Sequence, residues 1–596
     1  MESQITSEDS THEQQSSTQK NGGLNTIPFI IANEAFEKTA SYGLLPNMIM
    51  YLMNGYHMSV SMGTNVISIW SAFTNFLPIV GAFLSDSYLG RYRTIAFGSV
   101  LSFMGAVLLW LTTMIPDAKP TPCSSSNQSC KLAGSNQLAL LLFSFGLMSI
   151  GAGGIRSCSL AFGADQWDVK DNSRNETILQ NYFNWYYAST AFAVLISMTV
   201  VVYIQDHFGW KVGFGVPALL MLLSALLFFL ASPFYNKVNG NKNLFTRLAQ
   251  AAIVSFKNRH LILPQAGDIG VAYHHEKSSR IVAPTEKLRF INKACIIRSV
   301  EKDLGPDGKA SNPWSLCTIE QVEELKALLK VIPIWSTGIM IAVTVNQPTF
   351  PLIQANSMDR HITPHFQIPG GSFATFTVGT LTIWVAIYDR LILPQLAKLT
   401  GKPYGLSLKQ RMGIGLALSC TSMAVSATIE GIRRRSAIAQ GFADNPHAVL
   451  HMSAMWLVPQ HCLNGLAEAF FAIGQSEFSY SQFPKSMSSI ATSLFGLGMA
   501  VANLLVGAIV GIVDDLSKRG GQESWVSSNL NKGHYDYYYW LLAGLSVLNF
   551  IYFLVCCWAY GPCEEGKIMV KDEELRGSEE AELVPNLREL RLISPA

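Results

Sequence analysis

Residues 28–45 read PFIIANEAFEKTASYGLL, an apolar run that nevertheless carries Glu34, Glu37 and Lys38 within five positions. On a helix Glu34 and Glu37 stand three apart, and Glu34 and Lys38 four apart, so the three side chains share one face and can form an ion network. A charge held in hydrocarbon costs about 2.5–3.5 kcal/mol on insertion scales, so such groups pair with one another and face a water-filled path. Two acids beside one base leave a carboxylate that can take up and release a proton once water is excluded. The other reading is a solvated pair at the membrane surface, and the apolar IPFII preceding the acids argues against it.

Two further charges stand alone. Arg156 ends the charge-free part of SIGAGGIRSCSLAFGADQWD (149–168), and Glu468 interrupts NGLAEAFFAIGQSEF (464–478). One lone cation and one lone anion invite pairing across the molecule. Such a pair can act as a latch that loosens when Glu468 is protonated or an anion occupies Arg156, or it can be a fixed structural bridge. The planar fork of arginine suits carboxylate or nitrate oxygens. Gly151, Gly153 and Gly154 leave room beside Arg156 for another helix or a ligand. A third pattern, G-x4-D-x3-G-R, comprises Gly81, Asp86, Gly90 and Arg91. Its Asp and Arg can bond helix termini and bridge neighbouring helices, while the glycines permit a tight turn. No nucleophile–base set, metal-ligand spacing or phosphate loop stands out, so an enzyme and a metal site are not expected.

The elements that must hold these charges are membrane helices. Of 596 residues, 49% are hydrophobic and 14% charged, a balance foreign to soluble chains of this length. Windows long enough to cross about 30 Å of hydrocarbon recur near 28–53, 62–84, 94–115, 137–158, 183–205 and 212–234. A second set follows near 331–354, 372–394, 411–430, 452–476, 487–512 and 537–560. The expected fold is all-α and integral to the membrane, with twelve spans in two bundles of six (25–234 and 331–562). A linker (235–330) joins them, and polar tails (1–24 and 563–596) are expected to be disordered. Within the linker, residues 244–259 carry apolar residues at helical spacing. That segment can lie on the inner membrane surface or pack on the bundle.

Short basic loops set the orientation. Arg91 and Arg93 follow span 2, and Lys398, Lys402 and Lys409 lie between spans 8 and 9, which places these loops and both termini in the cytoplasm. Arg433, Arg434 and Arg435, after span 9, oppose this assignment. A net charge of +2 gives no sign of a nucleic-acid partner. The loop CSSSNQSC then lies outside; Asn127 is a glycosylation acceptor there, and Cys123 and Cys130 either close a short disulfide or remain two loop thiols.

The three charge patterns together resemble the major facilitator superfamily, and within it the proton-coupled oligopeptide transporter group. More closely, the chain looks like the plant nitrate/peptide transporter family. The family's E-x-x-E-K/R signature stands as Glu34, Glu37 and Lys38, with Arg156 and Glu468 at its span 4 and span 10 positions. Strings such as FGADQWD, LRFINKACI, SMDRHI, MWLVPQ and NKGHYDYYYW extend the likeness over about residues 25 to 562. The resemblance implies alternating access coupled to protons, with Glu34, Glu37 and Lys38 handling the proton and Arg156 contacting a small anionic substrate. No cofactor is implied beyond the coupling proton.

The string pattern is most similar to the first plant subfamily, associated with low-affinity nitrate movement. A symporter of nitrate or another small anion is therefore expected; hormones, glucosides or small peptides are alternative cargoes, and an uncoupled facilitator or a sensor is an alternative mode. The family's span 7 histidine, assigned to nitrate binding, is Asn346 here, which cannot become a cation. In span 5, Ala191 and Ala193 replace the Asn and Gly of peptide-type members. Thr94, in GRYRTIA, occupies the place where a nitrate-sensing relative is phosphorylated, which implies a kinase partner; the plain alternative is a helix-start threonine. The family also implies the plasma membrane.

Overall fold

A computed structural model describes residues 23–121, 132–166, 173–237, 244–261, 273–275, 283–306, 308–347, 349–401, 405–484 and 487–561. Asn127, Cys123, Cys130 and the two polar tails up to residue 22 and from residue 562 lie outside the described residues.

The N-terminal half begins with α1 (Ile27–Leu44) and α2 (Met48–Tyr56), which together make one crossing, followed by α3 (Val60–Leu84), α4 (Arg91–Met114) and α5 (Ser135–Ala164). Helix α6 (Ser173–Ile196) runs through a π turn into α7 (Val202–Leu230), and the chain reverses at Gly209, whose φ of +75° is open to glycine. The C-terminal half repeats the scheme. Helices α9 (Ile319–Val345) and α10 (Thr349–Asn356) make one broken crossing, after the linker helix α8 (Leu244–Lys257). Then come α11 (Ala374–Ile387), continued by α12 (Leu393–Thr400), and α13 (Leu408–Ala439), α14 (Val458–Gln482), α15 (Ser488–Ser517) and α16 (Tyr535–Tyr560).

Twelve crossings result, as the hydrophobic windows require. Nine helices among the described residues are long and apolar enough to cross a membrane, and one of them, Ile178–Leu230, contains two crossings. The two crossings that fall short are those bearing Glu34, Glu37 and Lys38, and Glu468. Large apolar side chains such as Phe73, Phe97, Phe143, Leu226, Ile383, Ile512, Leu548 and Trp558 are exposed around the circumference, forming the belt that hydrocarbon covers. The chain is a multi-pass membrane protein.

Three spans differ from their windows. Helix α9 starts at Ile319, capped by Thr318 through a capping box, so twelve residues assigned to the linker belong to it. Helix α13 runs on to Ala439, and Arg433 to Arg435 sit on its last turns rather than in a loop. Span 10 begins at Val458, because residues Leu450–Ser453 pair as a strand with Met358–Asp359.

Of the two readings for α8, packing is the one realised. Leu248, Ala251 and Val254 are buried against Ile291, Ala294, Cys295 and Val322, although Ile253 and Phe256 are exposed.

Both described ends lie at one end of the bundle: Gly23 donates to the Gln166 carbonyl, and Lys409 bonds Gly561. At the opposite end the halves touch. Arg360 meets Asp206 at 3.5 Å, Ser372 Oγ donates to the Met198 carbonyl at 2.9 Å, and Val60 N donates to Ser528 Oγ at 3.3 Å. A bond from the neighbouring His361, 2.6 Å away, holds the Asp359 carboxyl there below its usual range. Toward the termini, Tyr187 of α6 and Tyr480 of α14 stand near each other across the halves, and both are more than half exposed. The halves are tied together at the far end.

Candidate functional site

Helix α1 is fixed in rotation by a residue that carries no charge. Asn33 Nδ2 donates to Ser224 Oγ at 2.8 Å and to Ser99 Oγ at 3.1 Å, tying α1 to α7 and α4. Glu34, the next residue, and Glu37, one turn further, are buried within the N-terminal half, 3% and 0% exposed. Glu34 sits 3.7 Å from Lys38, with Tyr182, Tyr186 and Ser159 around it.

Glu37 instead reaches Arg156 on α5. Arg156 Nη2 donates to Oε1 at 2.9 Å and Nε to Oε2 at 3.1 Å, while Ser41 Oγ donates to Oε1 at 2.6 Å. The Tyr42 ring lies between the two cations, 5.5 Å from Lys38 Nζ and from Arg156 Cζ, at cation–π range. The four charges thus form two pairs joined by one aromatic ring.

Arg156 holds its place because α5 is stripped of bulk beside it. A Cβ on Gly154 would meet the Thr94 carbonyl at 2.7 Å, and one on Gly153 would meet Leu77 at 2.9 Å. The glycines admit α4 and α3, not a ligand. The same contact explains Gly81, where a Cβ would lie 2.5 Å from the Gly153 carbonyl. After the π turn Ser85–Leu89, Gly90 turns the chain at φ +76°. Arg91 then reaches Asp165 at the end of α5 at 2.5 Å and Asp86 at 3.6 Å. The motif bridges helix ends at the termini end.

Thr94 is 6% exposed, donates to the Gly90 carbonyl at 3.0 Å and backs onto Gly154. A kinase reaches its hydroxyl only if α4 parts from α5. Ala193 is buried against Thr39 of α1, so its difference from peptide-type members acts on helix packing.

In the C-terminal half, Asn346 sits at the break between α9 and α10, its amide 3.6 Å from Met499 Sδ. Irregular backbone at membrane depth is tolerated where it lines a cavity. Asn346 and Met499 are common to three connected hollows of about 490, 940 and 1260 Å³ of empty space. Arg156, Tyr42 and Ser41 line the second, and Glu468 lines the first and third. The expected Arg156–Glu468 pair is not formed in this conformation: Arg156 is engaged by Glu37, and Glu468 faces the cavity with no ion-pair partner among the described residues. The reason is geometric, since Glu37 lies on the helix next to α5 and reaches the guanidinium first.

The buried pair that does occur in the C-terminal half is one that the sequence pattern left without a role. Arg433 is fully buried and meets Glu430 through two bonds of 2.8 Å. It also donates to Asn531 Oδ1 at 2.8 Å and the Leu530 carbonyl at 3.0 Å. Gln354 of α10 donates to Glu430 at 2.6 Å and takes a bond from Tyr539. Arg433 therefore ties α13 to α10 and to the segment before α16 within the C-terminal half, and the i, i+3 spacing of Glu430 and Arg433 was the available clue. His461, on the cavity wall opposite Tyr42, was also missed, because a lone histidine has no spacing to mark it.

Two six-helix halves around a central cavity that carries charged side chains from both halves define a membrane transporter. The chain belongs to the POT family, whose model (PTR2) matches residues 92–526. It is 57% identical over 569 residues, 94% of this chain and 93% of the relative, to "Protein NRT1/ PTR FAMILY 1.2" of Arabidopsis thaliana. It is 56% identical to "Protein NRT1/ PTR FAMILY 1.1" of the same plant, over 94% of this chain and 95% of that one. The fold matches a crystal structure of an auto-inhibited POT family peptide transporter with a TM-score of 0.65 at 18% identity, covering 91% of this chain and 99% of that chain.

Proposed function

We propose that the protein is a proton-coupled symporter of nitrate or another small anion. The observation that carries this reading is the Arg156–Glu37 pair, a guanidinium on the cavity wall whose own counter-ion is a buried acid. An anion that binds Arg156 displaces the Glu37 carboxylate. A carboxylate left unpaired in that environment is too costly, so Glu37 takes up a proton. One anion and one proton thereby enter together, and neither is stable in the site without the other.

The pair at Glu34 and Lys38 keeps a second acid beside the first and holds Tyr42 over Arg156. Glu468, on the opposite wall, can carry a further proton. With one proton at Glu37 a monovalent anion moves without net charge; with a second at Glu468 each cycle moves one positive charge inward. Loss of the proton from Glu37 restores its bond to Arg156 and expels the anion.

On this reading both termini face the cytoplasm and the protein resides in the plasma membrane, so the end at which the halves are tied together is the external one. The test is uptake in oocytes at acid and neutral external pH with nitrate, dipeptides, gibberellins, abscisic acid and glucosides compared. Nitrate uptake and current should rise as pH falls, and Arg156→Ala should abolish both. Uptake indifferent to pH would instead favour a facilitator, and normal anion affinity in Arg156→Ala would move the site elsewhere.

A further inference from the structure

We infer that His461 is a second substrate-contacting residue, on the C-terminal wall of the cavity, where it donates a hydrogen bond to an acceptor oxygen of the transported anion. The inference rests on the anion-symport reading above. His461 lies on the third turn-equivalent stretch before Glu468, seven residues away and so two turns along the same face of α14.

Its ring is 7% exposed and lines the 1260 Å³ hollow that Tyr42, Asn464 and Glu468 also line. Nδ1 is 3.1 Å from Thr377 Oγ1 on α11, and Phe373 lies beside the ring at 6.4 Å between centroids. In this proposal the Thr377 hydroxyl is the donor to Nδ1, the tautomer that carries the ring proton on Nε2. Nε2 is buried and has no hydrogen-bond partner among the described residues. A buried ring nitrogen without a protein partner, on a residue that lines the cavity, calls for a ligand or water.

The ring is held there by design of the packing. Gly465, one turn on, lets α11 approach so closely that a Cβ would meet the Thr377 carbonyl at 2.3 Å. This holds Thr377 against Nδ1 of the ring. The adjacent Gln460 is 2% exposed and also leaves its Oε1 without a partner among the described residues. Tyr42, 5.5 Å from Arg156 within the N-terminal half, lines both this hollow and the adjoining one that Arg156 lines. On this proposal a bound anion meets the Arg156 fork from the N-terminal half and His461 from the other. A histidine at this place supplies on α14 the ring donor that Asn346 does not supply on α9.

The experiment measures nitrate and benzoate currents and uptake in oocytes for the wild type, His461→Phe, His461→Gln and Arg156→Ala, with surface expression determined for each. His461→Phe should raise the KM of the transported anion about tenfold with Vmax and the charge-to-anion ratio held. His461→Gln, which keeps a donor, should stay within about threefold. A KM within twofold in His461→Phe, or equal loss of Vmax in both His461 variants at unchanged KM, would overturn the proposal. Should His461→Phe not reach the surface, Thr377→Val takes its place: it frees the ring tautomer and should raise KM, and an unchanged KM counts against His461. Failure of the underlying reading looks different. A normal KM in Arg156→Ala removes Arg156 while leaving His461 to its own result, and a wild type silent to both anions removes both.

Discussion

Replacing Glu37 by Gln keeps the shape of the side chain and deletes the charge that Arg156 holds. In the wild type three N–H···O contacts of 2.9 to 3.2 Å join the two groups at a fully buried carboxylate. Breaking such a pair by removing one partner costs about 3–5 kcal/mol, equivalent to about two to three and a half decades of affinity. That is the upper limit of what an anion must overcome to take Glu37's place on Arg156 when no proton is available. If one proton replaces Arg156 as the partner of Glu37, the apparent KM for the anion must fall tenfold for each unit of falling external pH over the range in which Glu37 titrates, the slope that linkage gives for one proton. Glu37→Gln should then bind the anion tightly at every pH, with a flat KM, and in combination with Glu468→Gln should equilibrate anion rather than accumulate it. The assay is labelled nitrate uptake in oocytes or vesicles with an imposed pH gradient of about 2 units, which one coupled proton per anion converts into about hundredfold accumulation. A Glu37→Gln variant that keeps the wild-type pH slope, or a Glu37→Gln/Glu468→Gln double variant that still concentrates anion, would refute the exchange of partners at Arg156.

Glu468→Gln should leave anion flux driven by pH but remove the inward current that accompanies it; an unchanged ratio of charge to anion, recorded by combined current and uptake, would exclude Glu468 as a proton carrier. Arg433→Met should cost about 3–5 kcal/mol by leaving Glu430 buried without a partner, whereas Glu430→Gln combined with Arg433→Met should recover much of that loss, as thermal unfolding in detergent will show. Burial pushes the thiols of Cys295 and Cys317 in the linker up to about 12, so maleimide followed by mass spectrometry should modify them only after denaturation; rapid labelling of the folded protein would contradict the packing of α8 on the linker.

The membrane fold is written in the sequence at the level of composition. Runs of apolar residues long enough to span hydrocarbon leave no other stable arrangement of the backbone, which is why the twelve windows fall on twelve crossings. Their ends are less legible. At α13 the window stops where Glu430 and Arg433 begin, because charge reads as solvent exposure, yet the two neutralise each other inside the protein and the helix continues. At span 10 the apolar residues 452–457 read as membrane helix, while strand pairing with residues 358–359 claims part of them. Both misreadings have one origin: hydropathy reports transfer to lipid, and these residues are transferred into protein.

At the site, the types and helical spacing of Glu34, Glu37 and Lys38, and the isolation of Arg156 and Glu468, were enough to mark buried charge. Which charge meets which was beyond the sequence. Spacing along one helix puts Glu34, Glu37 and Lys38 on a common face, but only the packing of the N-terminal helices, in which Asn33 ties α1 to α7 and α4, decides that Glu37 belongs to Arg156 and Glu34 to Lys38. Glu468 was the plausible partner by charge alone, and the packing leaves it facing the cavity. Local sequence determines helices and the charge each carries; the pairing of those charges, and the direction of a lone imidazole such as His461, are set by contacts between residues more than a hundred positions apart or on separate helices, and those exist only once the two halves are packed.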